Sequence, residues 1–210
     1  MKAIFISAIM LLVFTSCFAQ CDSLPISVVV KVDKEYVRTY SRKGSWISRE
    51  IREKHYVVKT DSVSEKYFDI SLEIKNSSDR AIKIWLMTCS WEDNFIVNND
   101  YIFISANECD SNFPTLIEIN PGGSKIYMCT LIRSLKLDYP CETCGNWPLP
   151  QETKLGLIVI DDLYKPGLEG VEVNYFIAME DKSKWKMVWS NGLSLLGKQP
   201  EPRMIPVIEK

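Results

Sequence analysis

The chain is expected to fold as an all-β, immunoglobulin-like antiparallel β-sandwich in a single domain, on three observations. First, Phe68, Ile70, Leu72 and Ile74 alternate with Asp69, Ser71, Glu73 and Lys75, a period of two that sends one row of side chains inward and the other into water. Second, roughly eight to ten such runs follow one another with turn signals between them, with neither a long helical stretch nor a βαβ order. Third, 210 residues that are 46% hydrophobic with only 9 glycines can bury one adequate core. A half-polar strand needs a second sheet to cover its apolar row, so two packed sheets are favoured over one open sheet.

Residues 1–19 form a separate element. Lys2 precedes an apolar run over residues 3–14, and small and polar residues follow up to Ala19. That run is the length of a secretory leader's core and too short for a stable membrane span. The expectation is therefore an exported protein, periplasmic or secreted, whose mature domain covers residues 20–210. Cleavage after Ala19 would leave Gln20 first. Alternatively the Phe14, Thr15, Ser16, Cys17 order is similar to a bacterial lipoprotein box, which would put a lipid on Cys17 and make the product an outer-membrane lipoprotein.

In chain order, β-branched residues 25–32 open the fold as a strand, and residues 35–40 continue it or return from it. Residues 46–54 fit one helical face or one side of a strand equally well. Residues 55–60 read as a strand, and residues 61–65 as a polar link. Asn76, Ser77, Ser78 and Asp79 favour a turn, so the strand before them and the alternating Ile82, Ile84 and Leu86 after them are expected to pair as a hairpin. An aromatic and Asn-rich connection over residues 90–100 leads to a short strand at 101–105 and a loop at 107–114. Residues 116–120 and 125–132 are strands around the Pro121-Gly122-Gly123 turn. Residues 138–151 form a long loop with three prolines. Strands are expected at 155–160, 171–178 and 184–189, with residues 161–170 as a hairpin connection. Pro200, Pro202 and Pro206 make the tail extended.

In an oxidising compartment cysteines read as a disulfide framework. Six lie beyond Cys17 (Cys21, Cys89, Cys109, Cys129, Cys141 and Cys144), enough for up to three bridges whose pairing the sequence leaves open. Cys89 and Cys109 are the first candidate pair, bracketing the strand at 101–105 and closing a loop worth about 3 kcal/mol. Cys141 and Cys144 form a Cys-x-x-Cys motif. Redox activity needs a helix N-terminus under the first sulfur. Pro140, Gly145 and Pro148 supply none, and a structural bridge is the ordinary reading.

The remaining chemistry is sparse. His55 is the only histidine, and no Gly-x-Ser-x-Gly elbow accompanies it. Asp161, Asp162, Glu169 and Glu172 do not match the calcium-loop spacing. Glu92 and Asp93 would point to opposite faces of a strand, which spoils a glycosidase pair. No catalytic residue, cofactor or metal is therefore expected. Trp91, Phe95, Tyr101, Trp147, Trp185 and Trp189 could line a sugar-stacking surface, although strand aromatics are ordinarily core. The net charge is −2. Residues 31–59 are locally basic, either a patch for an anionic surface or, more ordinarily, a solvated hairpin face.

The segments Cys89-Ser90-Trp91-Glu92-Asp93-Asn94-Phe95-Ile96, Asn98-Asn99-Asp100-Tyr101-Ile102 and Cys109-Asp110-Ser111-Asn112-Phe113-Pro114 resemble a pattern in small, functionally uncharacterised secreted proteins of Bacteroidota. The resemblance implies no activity. The functional expectation is a non-enzymatic binding or structural module of the bacterial envelope, with no nucleic-acid partner and contact with membrane only through a lipid on Cys17. Its partner would be an envelope protein or glycan. Its contact loops would be residues 91–99, with Trp91, Asn94 and Phe95, and residues 138–151, with Trp147. The competing classes are a periplasmic thiol-disulfide enzyme using Cys141 and Cys144, and a carbohydrate-binding module.

Overall fold

Strand β2 (Ser62–Asn76) lies at the centre of the architecture, paired on one side with β1 (Ile26–Ser41) and on the other with β7 (Ser124–Arg133). The computed structural model describes residues 24–41, 43, 49, 51, 61–105, 110–139, 150–160 and 171–196. The expectations for the leader and Cys17, the strand at 55–60 with His55, Cys21, Cys109, Cys141, Cys144, Trp147, the 161–170 connection and the proline tail lie outside these residues. Among the described residues no helix is long and apolar enough to cross a membrane.

A four-stranded sheet is completed by β5 (Ile102–Ile104), in the order β1-β2-β7-β5. Facing it are a pair, β3 (Ile82–Met87) with β6 (Pro114–Ile119), and a three-stranded sheet in which β8 (Leu155–Ile160) lies between β4 (Phe95–Val97) and β9 (Trp185–Trp189). Every pairing is antiparallel. The main core joins Ile70, Leu72 and Ile74 of β2 and Leu131 of β7 to Ile84, Leu86, Leu155 and Leu157 across the sandwich. Burying a side chain of this size contributes roughly 1.5–3 kcal/mol. The all-β sandwich read from the alternation is the fold observed.

Its wiring differs from the expected hairpin. β2 and β3 sit in different sheets, so the turn after Asn76 carries the chain across the sandwich. Both strands keep their inward apolar row, and alternation is equally satisfied by a neighbour in the same sheet or in the facing one. A second corner, between β6 and β7, crosses beside the first. The Asn76 side chain binds the two together: its Nδ2 donates to the carbonyls of Arg80, Ile119 and Asn120 at 2.7, 3.0 and 3.2 Å. Its Oδ1 accepts from the Ser78 N–H at 2.9 Å. Gly122, at φ 65°, supplies the left-handed conformation that the second corner requires.

The strand expected at 171–178 is an α-helix, α1 (Val171–Glu180). Val171, Val173 and Ile177 are β-branched and suggested extended chain, but tertiary packing overrides that weak preference. Tyr175, Ala178 and Met179, spaced as one helical face, lie on Trp85, Met87, Ile158 and Ile160. β3 and β8 are consequently covered on both sides, by the sandwich core on one and by α1 on the other, which explains why all six residues of β8 are buried.

The polar link expected at 61–65 is also strand, because β2 begins at Ser62. Val63 and Glu65 are buried there, and Glu65 breaks an apolar period that would otherwise be visible. Residues 35–40 continue β1 and do not return from it. Of the ambiguous stretch at 46–54, the described Arg49 and Ile51 are helical, and Ile51 packs on Val63 and Leu135.

Candidate functional site

One extra residue in β1 determines which side chains reach the outer surface. Val32 faces Ile70, but the next aligned pair is Lys34 with Asp69, so Asp33 is an inserted bulge residue that reverses the facing of everything after it. Before the bulge, Val28 and Val30 point into the core. Beyond it Lys34, Tyr36, Arg38 and Tyr40 join Asp69, Tyr67, Glu65 and Val63 on the outer face, while Glu35 and Val37 take the core side with Phe68 and Lys66.

The outer face is a closed polar ladder. Tyr36 stacks on Tyr67 with ring centroids 5.4 Å apart and planes 10° from parallel. The Arg38 guanidinium lies 5.3 and 4.9 Å from the Tyr36 and Tyr67 centroids, where the ring faces attract a cation. The Tyr67 hydroxyl donates to Glu65 Oε2 at 2.6 Å and lies 2.8 Å from the Tyr40 hydroxyl. Burial, with the Glu65 carboxylate next to it, pushes the Tyr67 phenol far above its ordinary value. Asp69 Oδ1 accepts from Tyr36 at 3.2 Å and Thr130 at 2.8 Å. The described part of the basic segment is thus largely matched within the fold: Lys31 pairs with Asp33 at 3.2 Å, and Lys34 and Arg38 lie over aromatic rings.

β7 ends at Arg133, so β2 projects beyond its partner and leaves a groove of about 300 Å³ lined by Val37, Ser64, Glu65, Lys66, Arg133, Asp138 and Tyr139. Tyr139 closes one wall, its hydroxyl accepting from the Ser64 backbone N–H at 2.9 Å. Two ion pairs flank the groove: Lys66 to Glu35 at 2.6 Å, and Arg133 Nη2 to Asp138 Oδ1. Burial raises the Asp138 carboxyl above its ordinary value, opposed by the charge and hydrogen bond of Arg133 and by the charge of Lys66. Arg133 Nε is buried without an acceptor.

The expected contact residues divide differently. Asp138 and Tyr139, the first two residues of the 138–151 loop, line this groove. The 91–99 loop does not present its aromatics: residues 91–94 form a turn of 3₁₀ helix in which Asn94 is fully buried, and Phe95 is buried in β4. Asn94 and Phe95 are therefore anchors, not contact residues. Trp91 is half-buried, edge-on to Phe95 at 5.8 Å and 4.8 Å from the Tyr127 ring. Among the other aromatics proposed for sugar stacking, Tyr101 is buried and Trp185 is packed under α1, leaving Trp189 43% exposed. Trp189 and Met187 press so closely on Gly156 that a Cβ there would stand 3.0 and 2.5 Å from them. Glu92 and Asp93 lie on the 3₁₀ turn, and Glu92 is buried.

The motif segments around Cys89 and Asn112 meet in space. Asn112 Oδ1 accepts the backbone N–H of Cys89 and of Ser90, each at 3.2 Å. Cys89 is disulfide-bonded. Cys129 is a free, buried thiol pushed up to about 12 by burial and the nearby Glu92 charge. Among the described residues no group of three or more His, Cys, Asp or Glu side chains is arranged to hold a metal ion. No family model, curated protein or solved structure matches the chain.

Sequence reading missed Val37, Ser64, Glu65, Lys66 and Arg133. They come from three separated stretches that meet only because β2 overhangs β7, and no local spacing signals that meeting.

Proposed function

We propose that the chain is an exported, non-enzymatic binding module of the bacterial envelope, kin to the uncharacterised secreted proteins whose motif it resembles. Its contact surface is the groove at the overhanging end of β2. The observation that carries this reading is the pair of flanking ion pairs, Lys66 with Glu35 and Arg133 with Asp138, which place directional polar groups at the rim of a concave surface. Strand order supports an immunoglobulin-like assignment: β1-β2-β7-β5 and β4-β8-β9 run in the same sequence order as the A-B-E-D and C-F-G sheets of that fold. Under this reading Cys89 pairs with Cys109, and Cys141 with Cys144, as braces.

Non-reducing peptide mass spectrometry of the protein recovered from its native envelope, after alkylation, tests it. The expected result is loss of the leader, closed Cys89, Cys109, Cys141 and Cys144, and alkylation of Cys129 only after unfolding. Native Cys141 and Cys144 that alkylate without reductant overturn the module and put the thiol-disulfide enzyme in its place.

A further inference from the structure

Each cation lining the groove already has a carboxylate. Lys66 is held by Glu35 at 2.6 Å and Arg133 by Asp138, and the third carboxylate, the buried Glu65, already accepts the Tyr67 hydroxyl, so the groove carries both signs of charge, each engaged within the fold. An anionic ligand would have to approach Glu35 and Asp138, and a cationic one Lys66 and Arg133. A neutral ligand rich in hydroxyl groups meets neither conflict, because every hydroxyl both donates and accepts and neighbouring hydroxyls can bridge a carboxylate and a cation. Two more features point the same way. The Tyr139 hydroxyl, which accepts from the Ser64 N–H, still has its own proton to donate. Val37, 59% exposed on the lip, offers an apolar spot for the C–H face of a ring.

We propose that this groove binds neutral saccharides, taking a chain end of about one or two sugar rings at a volume near 300 Å³. The proposal rests on the binding-module reading and adds the ligand class to it. It places the sugar on the ion-paired groove of β2 and not on the tryptophans.

The test is an amide NMR titration of the isotope-labelled full chain with glucose, galactose, N-acetylglucosamine and their β-linked disaccharides, beside glucosamine and glucuronate as charged probes. The expected result is saturable shifts at Ser64, Lys66, Arg133 and Tyr139 with at least one neutral sugar, in the millimolar range, and affinity at least tenfold weaker for the charged analogue. Arg133→Met should weaken binding tenfold or more. Val37→Arg, at an exposed position that leaves the core intact, should abolish it. Failure of every neutral sugar to shift these residues overturns the proposal, as does binding unaffected by Val37→Arg. Saturation by glucosamine or glucuronate alone overturns the ligand class and leaves the binding module standing. Reactive native Cys141 and Cys144 would overturn the module itself, so the two failures are distinguishable.

Discussion

Asn94 Oδ1 accepts the hydroxyl proton of Tyr175 at 2.7 Å across a fully buried contact, joining the 3₁₀ turn to α1. The same oxygen accepts the Met87 N–H at 3.2 Å, and the amide nitrogen donates to the Trp85 carbonyl at 3.2 Å. One side chain therefore satisfies two backbone groups of β3 and fixes the helix above them. Burial pushes the Tyr175 phenol up to about 12, opposed by the bond to Asn94 and reinforced by the Asp93 charge.

Replacing Tyr175 by Phe removes one of these bonds and should cost about 1 kcal/mol, whereas Asn94→Ala strands several buried polar groups and should cost roughly 2–4 kcal/mol. Urea denaturation of the two single variants and the double variant measures both. A double variant whose loss equals the sum of the singles would show that the residues are not coupled.

Deleting Asp33 should remove the bulge and return residues 34–41 to the facing they would have in an unbroken strand. Tyr36 would leave Tyr67, and the Tyr40 to Tyr67 to Glu65 chain would be lost. The expected readout is loss of the Tyr67 share of the high-pH component of an ultraviolet titration, with that of Tyr175 retained and the main core still folded by near-ultraviolet circular dichroism. An unchanged Tyr67 titration would mean that the ribbon does not depend on the bulge.

Cys129 should resist alkylation in the folded protein. Raising its pKa from 9.0 to about 12 lowers the thiolate fraction about a thousandfold at neutral pH, and burial adds a barrier to access. Rapid labelling by iodoacetamide at pH 8 without denaturant would contradict this.

The Asp138 carboxyl titrates above its ordinary 3.8 in the folded chain, so the folded state binds its proton more tightly than the unfolded state does. Its contribution therefore favours folding most fully below about pH 3.8 and is lost as pH rises through the folded value. Arg133→Met removes the main opposing influence and should raise the folded value further. Carboxyl carbon NMR follows both; an Asp138 titration at or below 3.8 in the native protein would be the contrary result.

The strands were legible in the sequence because a half-buried strand must alternate, and Phe68, Ile70, Leu72 and Ile74 do so without interruption. Pairing was not, because Asn76, Ser78 and Asp79 suit a corner between sheets as well as a hairpin, and the decisive bonds from Asn76 go to residues more than forty positions away. α1 was hidden by its composition: Phe176 and Ile177 are exposed while Tyr175 and Ala178 are buried, so apolar residues lie on every side and no period emerges. The groove was legible only at Asp138 and Tyr139, since Lys66 and Arg133 look like ordinary outward residues of strands.

The two-sided burial of β8 bears on when the domain can first fold. Leu155 and Leu157 complete one apolar layer and Ile158 and Ile160 the other, so until residue 160 has been delivered the earlier strands have only part of each wall to collapse against. Most of the partnerships are also distant in sequence, which slows nucleation. A chain whose folding waits for its last third stays threadable while the first two thirds emerge. The sandwich therefore closes as one cooperative step when its twice-covered strand arrives, with few partial folds before it.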